Sequence, residues 1–262
     1  MTADVPDLLL RRDAEGIAWL TLNRPAARNA LSMGLMTALD RELAAIAGNA
    51  AVKVVVIAGA GPAFCAGHDL REMRAAPDRA AYEAVFALCS ALMLRIVRLP
   101  QPVIARVHGV ATAAGCQLVA TADLAIAADT ARFATPGVNI GLFCSTPMVA
   151  LTRTVGRKAA MAMLLTGEMI DAARAAELGL INRVVPETAL DGAVLALARQ
   201  ITNKSPLTVR IGKEAFYRQS EMDLEAAYRY AADVMTRNML ARDAGEGIDA
   251  FLQKRTPAWT GS

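Results

Sequence analysis

The run PVIARVHGVATAAGCQL, residues 102–118, constrains this chain more than any other stretch. Residues 102–107 are apolar and β-branched, and read as a short buried strand. His108-Gly109 breaks the pattern. Very small residues follow, Ala111, Thr112, Ala113, Ala114 and Gly115, before Cys116-Gln117-Leu118 opens an apolar helical stretch. A strand that enters a helix through small residues leaves bare backbone N–H groups at the positive helix end. Small side chains let a ligand oxygen approach those donors. An oxyanion hole can be built this way from main chain alone. The competing reading is a tight strand-to-helix turn packed on a neighbour.

The rest of the chain alternates strand and helix signals around that turn. Residues 8–12 and 16–22 read as a hairpin turning at 13–16. Ser32 is placed to cap a helix reaching about Ala47, with Leu35, Leu39, Leu43 and Ile46 on one face. Residues 53–58, KVVVIA, form a strand apolar enough to be covered on both faces, as in parallel sheets. Residues 59–69, GAGPAFCAGHD, make a second strand-to-turn stretch that ends at exposed backbone around Gly67-His68. A polar helical segment and a long helix over 78–98 follow, stopping before Pro100. Residues 123–128 are another strand and 133–139 a loop. From Thr146 the chain is mostly helical, with one further strand at 181–185. This alternation indicates an α/β fold with parallel pairing. Residues 1–200 form the core, and 201–262 read as a helical appendage. Its apolar Met235, Met239, Leu240, Ile248, Phe251 and Leu252 need a partner surface.

Composition excludes several function classes. Hydrophobic residues make up 55% of the 262, which points to apolar surface shared with other subunits. The most apolar stretches meet Lys53, Arg106, Gln117 or Asp123 before reaching the ~20 residues of a membrane span. The opening MTADVPDLLLRR does not read as an export signal. A net charge of +3, from 28 basic and 25 acidic residues, gives no reason to expect nucleic acid. Cys65, Cys89, Cys116 and Cys144 have neither metal-site nor disulfide-scaffold spacing, so free thiols in a reducing cytoplasm and no metal are expected.

Four segments carry a family likeness: LNRPAARNAL at 22–31, FCAGHDL at 64–70, GCQL at 115–118 and TGEMIDAARAAELGLINRVV at 166–185. Together with EGIDAFLQKRTP near the end, they resemble the crotonase superfamily, the enoyl-CoA hydratase/isomerase family. The likeness covers nearly the whole chain. It implies an α/β fold with a ββα spiral core and a C-terminal helical trimerisation region, giving homotrimers or hexamers. It also implies an acyl-CoA thioester as substrate, with coenzyme A entering as part of it and no permanently bound cofactor. The thioester oxygen would be gripped by the N–H groups of His68 and Ala114. Ala66, His68, Asp69 and Leu70 would lie along CoA, with the adenine near Ala66, Asp69 and Leu70, and Arg28 near a CoA phosphate.

Two positions depart from the family pattern. A hydratase of this family holds one water between two glutamates. The first stands where this chain has Gln117, and the second follows a proline where this chain has Pro136-Gly137. Glutamine can orient water but has no accessible pKa for taking its proton. Each lost acid–base group is typically worth about 10²–10⁴ in rate. Substitutes are Cys144 or Ser145, in LFCSTP at 142–147, and the chain's two histidines, His68 and His108. Against them stand a packed loop with Ser145 or Thr146 as helix cap, and histidines tied to backbone or facing CoA. The family label is that of an enoyl-CoA hydratase/isomerase, a lyase or isomerase of fatty-acid metabolism. Alternatives are a non-catalytic acyl-CoA binder or partner subunit, or another oxyanion-dependent reaction such as decarboxylation or thioester hydrolysis. A spiral-fold serine protease would need a Gly-x-Ser-x-Gly elbow that the chain lacks.

Overall fold

Each turn of the chain lays one strand in each of two sheets. In the computed structural model, which describes residues 7–262, a hairpin of β1 (Leu9–Ala14) and β2 (Ile17–Leu22) comes first. The start of the expected non-signal opening, residues 1–6, lies outside the described residues. Ser32 caps α1 (Met33–Ala47) by accepting the Leu35 N–H. The first spiral turn is β3 (Val54–Gly59), β4 (Ala63–Cys65), α2 (Leu70–Ala75) and α3 (Arg79–Arg98). The second is β5 (Val103–Val107), β6 (Val110–Thr112) and α4 (Ala114–Thr121). The third is β7 (Leu124–Ala128), β8 (Arg132–Ala134), a 3-10 turn (Pro136–Ile140), α5 (Ser145–Thr154) and α6 (Arg157–Thr166). Then come β9 (Ile170–Asp171), α7 (Ala172–Glu177), β10 (Arg183–Val185), α8 (Leu190–Thr202), α9 (Pro206–Gln219), α10 (Leu224–Met239) and α11 (Arg242–Leu252).

The long strands form one sheet in the order β1-β2-β3-β5-β7-β10, parallel except at the opening hairpin. Period-two alternation of apolar side chains covers both faces. Val54 and Val56 of β3 meet Leu190, Val194 and Ala198 of α8, while Val55 and Ile57 join α1, α3 and α4 in the larger core. The short strands make a second sheet, β4-β6-β8-β9, parallel except between β8 and β9.

This second sheet corrects three expectations. The small-residue run after Gly109 is not all turn, because Val110–Thr112 pairs as β6. The expected loop at 133–139 contains β8 and the 3-10 turn. β9 has two residues and no sequence signal. Strands this short do not repeat long enough to show a period. A further correction concerns α3, which is apolar and long enough to cross a membrane by length and composition. It instead sets Val85, Cys89, Leu92, Met93 and Ile96 against the core.

The last three helices are tied to this core by a buried charge. Lys213 of α9 ion-pairs with Asp123 at 2.7 Å and donates to the Ile96 and Gln101 carbonyls. Asp123 also accepts the Val103 N–H and the Tyr217 hydroxyl. Lys213 thus has three acceptors and both Asp123 oxygens accept, which offsets the cost of burying the charges. Beyond the junction Met235, Met239, Leu240, Ile248, Phe251 and Leu252 stand exposed, Leu240 at 83% and Phe251 at 82%.

Candidate active site

Parallel pairing of β4, β6 and β8 sets their C-terminal ends in a row. The chain leaves them through three corners, 66–68, 113–114 and 135–137, which are the stretches singled out above. Ligand sites form at such strand ends because the connecting backbone is not consumed by the sheet.

At the first corner the neighbours of His68 are fully used. The Gly67 carbonyl accepts the Leu31 N–H, and the Asp69 N–H bonds the Leu31 carbonyl. The Gly67 N–H points to Cys65 Sγ, and the Ala66 carbonyl accepts Thr112 Oγ1. The His68 N–H is left without a partner among the described residues. At the second corner the Ala113 N–H bonds the Ala134 carbonyl and the Gln117 N–H bonds the Ala113 carbonyl, while the Ala114 N–H is likewise free. Ala113 has φ 50°, ψ −118°, a strained backbone for a residue with a Cβ. The two corners touch. Gly67 has φ +98°, and a Cβ placed on it would lie 2.9 Å from the Ala113 Cβ and 3.4 Å from the Ala114 nitrogen. A Cβ on Gly115 would lie 2.1 Å from the Cys65 carbonyl oxygen. Two unpaired N–H donors therefore stand on adjoining corners, one of them at the positive end of α4.

The residues expected along CoA gather at the first corner. Ala66 donates to the Arg28 carbonyl, and Arg28 is exposed with no side-chain partner among the described residues. Asp69 caps α2 through the Arg71 and Glu72 N–H groups and pairs with Arg24 at 2.8 Å, which helps hold its carboxyl below the usual range despite burial. Leu70 stands 48% exposed beside it.

The acid–base positions are differently furnished. Gln117 is buried, and its Oε1 accepts from the Cys89 thiol at 3.8 Å. Gly137 is not the open space that a missing side chain suggests. A Cβ there would fall 2.8 Å from the Leu142 carbonyl oxygen and 2.9 Å from Cys144 Sγ, and the Gly137 N–H points to that sulfur. The loop is closed against Gly137, the position where the resemblance implies the second carboxylate. Burial raises the Cys144 thiol pKa, so it stays protonated. Ser145 and Thr146 do not cap α5. Cys144 stands at the cap position without a capping bond, and exposed Ser145 donates to the Phe143 carbonyl at 3.3 Å.

The two histidines separate cleanly. His108 donates through Nε2 to the Gly61 carbonyl at 2.8 Å and accepts Arg106 at Nδ1 at 2.9 Å, so it has no nitrogen free for a substrate. His68 packs its ring edge-on against Phe86 at 5.6 Å, and its Nε2 is sealed and unpaired, as is Thr135 Oγ1 at the third corner. Burial pushes the His68 pKa down to about 4, keeping the imidazole neutral near pH 7. Cys89 and Phe86 were not anticipated. Cys89 lies on the buried stripe of α3, where an apolar pattern signals core and nothing more, and Phe86 stands 37% exposed on the same helix.

Two outcomes follow from this geometry. Gly137→Glu, alone or with Gln117→Glu, should destabilise the fold by about 1–3 kcal/mol in urea unfolding and add no crotonyl-CoA hydration, since the side chain has no room. Adding Cys144→Ala should recover only part of the stability, since the Leu142 carbonyl still crowds the new side chain. Secondly, the unfolded chain takes up a proton at His68 near pH 6.5, whereas the folded chain resists it until about pH 4. Stability should be full above pH 6.5 and lost as pH falls towards 4, by about 2 kcal/mol between pH 7 and pH 5 for His68. His108, also lowered by burial, acts in the same direction. Urea midpoints of His68→Gln should show a flatter slope across this window.

The enoyl-CoA hydratase/isomerase family profile matches residues 12–262. Mouse enoyl-CoA hydratase domain-containing protein 3, mitochondrial, is 46% identical over 255 residues, covering 97% of this chain and 85% of its own. The 2,3-dehydroadipyl-CoA hydratase of Escherichia coli K12 is 37% identical over 256 residues, 97% of this chain and 99% of that one. A crystal structure of an enoyl-CoA hydratase from Mycobacterium smegmatis has a TM-score of 0.95 at 55% identity, covering 96% of this chain and 98% of its own. The chain belongs to the enoyl-CoA hydratase/isomerase family, the crotonase superfamily.

Proposed function

We propose that this chain is an acyl-CoA enzyme whose chemistry rests on the peptide N–H groups of His68 and Ala114 and not on a pair of glutamates. The observation that carries this reading is the free donor pair on touching corners. A thioester oxygen held there gains negative charge when an enolate forms at the neighbouring carbon, and fixed donors stabilise that charge. Water addition is not the favoured reaction. Gln117 cannot take a proton, and the loop fills the place of the second carboxylate.

Loss of carbon dioxide from a 2-carboxylated, malonyl-type acyl-CoA, whose carboxylate carbon is C3, suits the site better. The bond to the carboxylate breaks, its electron pair becomes the enolate held by the two N–H groups, and carbon dioxide leaves. No side chain need accept a proton, and the enolate then takes one from solvent. A second reading, an acyl-CoA binder without turnover, is favoured by the scarcity of proton-transfer groups. Among the candidates only neutral, unpaired His68 remains. Four free, buried cysteines suit the reducing cytoplasm. The exposed row from Met235 to Leu252 supports association through 201–262 as trimers or paired trimers.

Mass spectrometry of a panel of acyl-CoAs tests the reading. An enzyme-dependent product should appear from a 2-carboxylated, malonyl-type ester, with crotonyl-CoA hydration at least about 10²-fold below that of a glutamate-bearing relative. Ala114→Pro removes one donor at a first helical position that tolerates proline, and should cut turnover by about 10²–10³-fold with the fold retained by circular dichroism. Near-normal hydration would end the proposal, and saturable binding with no product would favour the binder. For assembly, light scattering should show Leu240→Asp as a smaller species than the parent.

A further inference from the structure

Gln117 is a polar side chain of the site whose orientation a neighbour sets. Cys89 of α3 is fully buried, and burial raises its thiol to about 11, so the sulfur carries its proton and donates. Gln117 Oε1 receives that proton at 3.8 Å. Its Nε2 is left as a donor with no partner among the described residues, and unlike His68 Nε2 it is not sealed. Gln117 lies three residues after Ala114 on α4, so its side chain shares a helix face with the Ala114 N–H. The nearby carboxylates of the first corner are already engaged. Asp69 is spent on Arg24 and the α2 cap, and Glu72 accepts the Met33 N–H.

We infer that Gln117, held by Cys89, is a specificity-determining residue that selects acyl-CoA esters bearing a hydrogen-bond acceptor oxygen on C3. The thioester oxygen and an oxygen on C3 stand in a 1,3 relation. They can meet the corner N–H groups and Gln117 Nε2 together. An unsubstituted acyl chain leaves that buried donor unpaired, which is the stronger source of discrimination. A ketone oxygen and a carboxylate oxygen share this chemistry. Cys89 acts through Gln117 as a positioning residue. This inference rests on the acyl-CoA reading above.

The test measures dissociation constants of the full-length protein for malonyl-CoA, acetoacetyl-CoA and butyryl-CoA by calorimetry, with circular dichroism of each variant. The parent should bind at least one C3-oxygenated ester about tenfold tighter than butyryl-CoA. Preference for malonyl-CoA would assign the carboxylate, and preference for acetoacetyl-CoA the ketone. Gln117→Leu, close in size but without the donor, should bring the ratio near one. Cys89→Ala should lower the ratio severalfold while Cys89→Ser, which keeps a donor, restores it. A merely structural role for Cys89 would not move the ratio. A parent ratio near one, or a ratio that survives Gln117→Leu, overturns the inference while leaving the acyl-CoA reading intact. Failure of all three esters to bind sinks the acyl-CoA reading itself.

Discussion

Two chain corners meet here without a side chain between them, and the site depends on that contact. Gly67 lies against Ala113, and Gly115 lies against the Cys65 carbonyl, closer than any Cβ would allow. The parallel pairing of β4 with β6 delivers the corners to the same place. Ala113 is held in a backbone conformation that costs about 1–3 kcal/mol. Hydrogen bonds at both of its peptide groups hold it there. With their neighbours so occupied, the His68 and Ala114 N–H groups are the ones left over. The donors are created by exhaustion of the surrounding partners, not by any special residue type.

This explains what was legible in the sequence and what was not. The hairpin, the Ser32 cap, the stop of α3 before Pro100 and the buried β3 each follow from a local rule, and each is found. The corners were visible as clusters of small residues. The second sheet was not, because three-residue strands draw their stability from neighbours far away in sequence. The contents of the acid–base positions were hidden for the same reason. The resemblance implies that Gln117 and Gly137 stand where a family hydratase has glutamates. That Cys89 reaches Gln117 from 28 residues away, and that Cys144 fills the gap at Gly137, are facts of packing.

The C-terminal region shows how an apolar surface can be offered without loosening the fold. Lys213 and Asp123 fix α9 to the core, and the tail is fastened separately. Asp243, 1% exposed, accepts from Ser205, Thr260 and Gly261, and the Trp259 indole donates to the Asn203 carbonyl. These groups hold the Asp243 carboxyl low, at about 2, against the opposing effect of burial. α9, α10 and α11 are thus presented on a stiff frame, so association need not spend free energy on ordering them.

The sulfur lodged against Gly137 also bears on how such a chain can change over generations. Substitution by a glutamate at that place meets a collision first and gains a proton carrier only after the Leu142–Cys144 loop has moved aside. The intermediate is less stable and no more active, so selection has nothing to favour along the way. The packed loop therefore sets an order on change, with the backbone around Gly137 having to yield before any acid introduced there can serve.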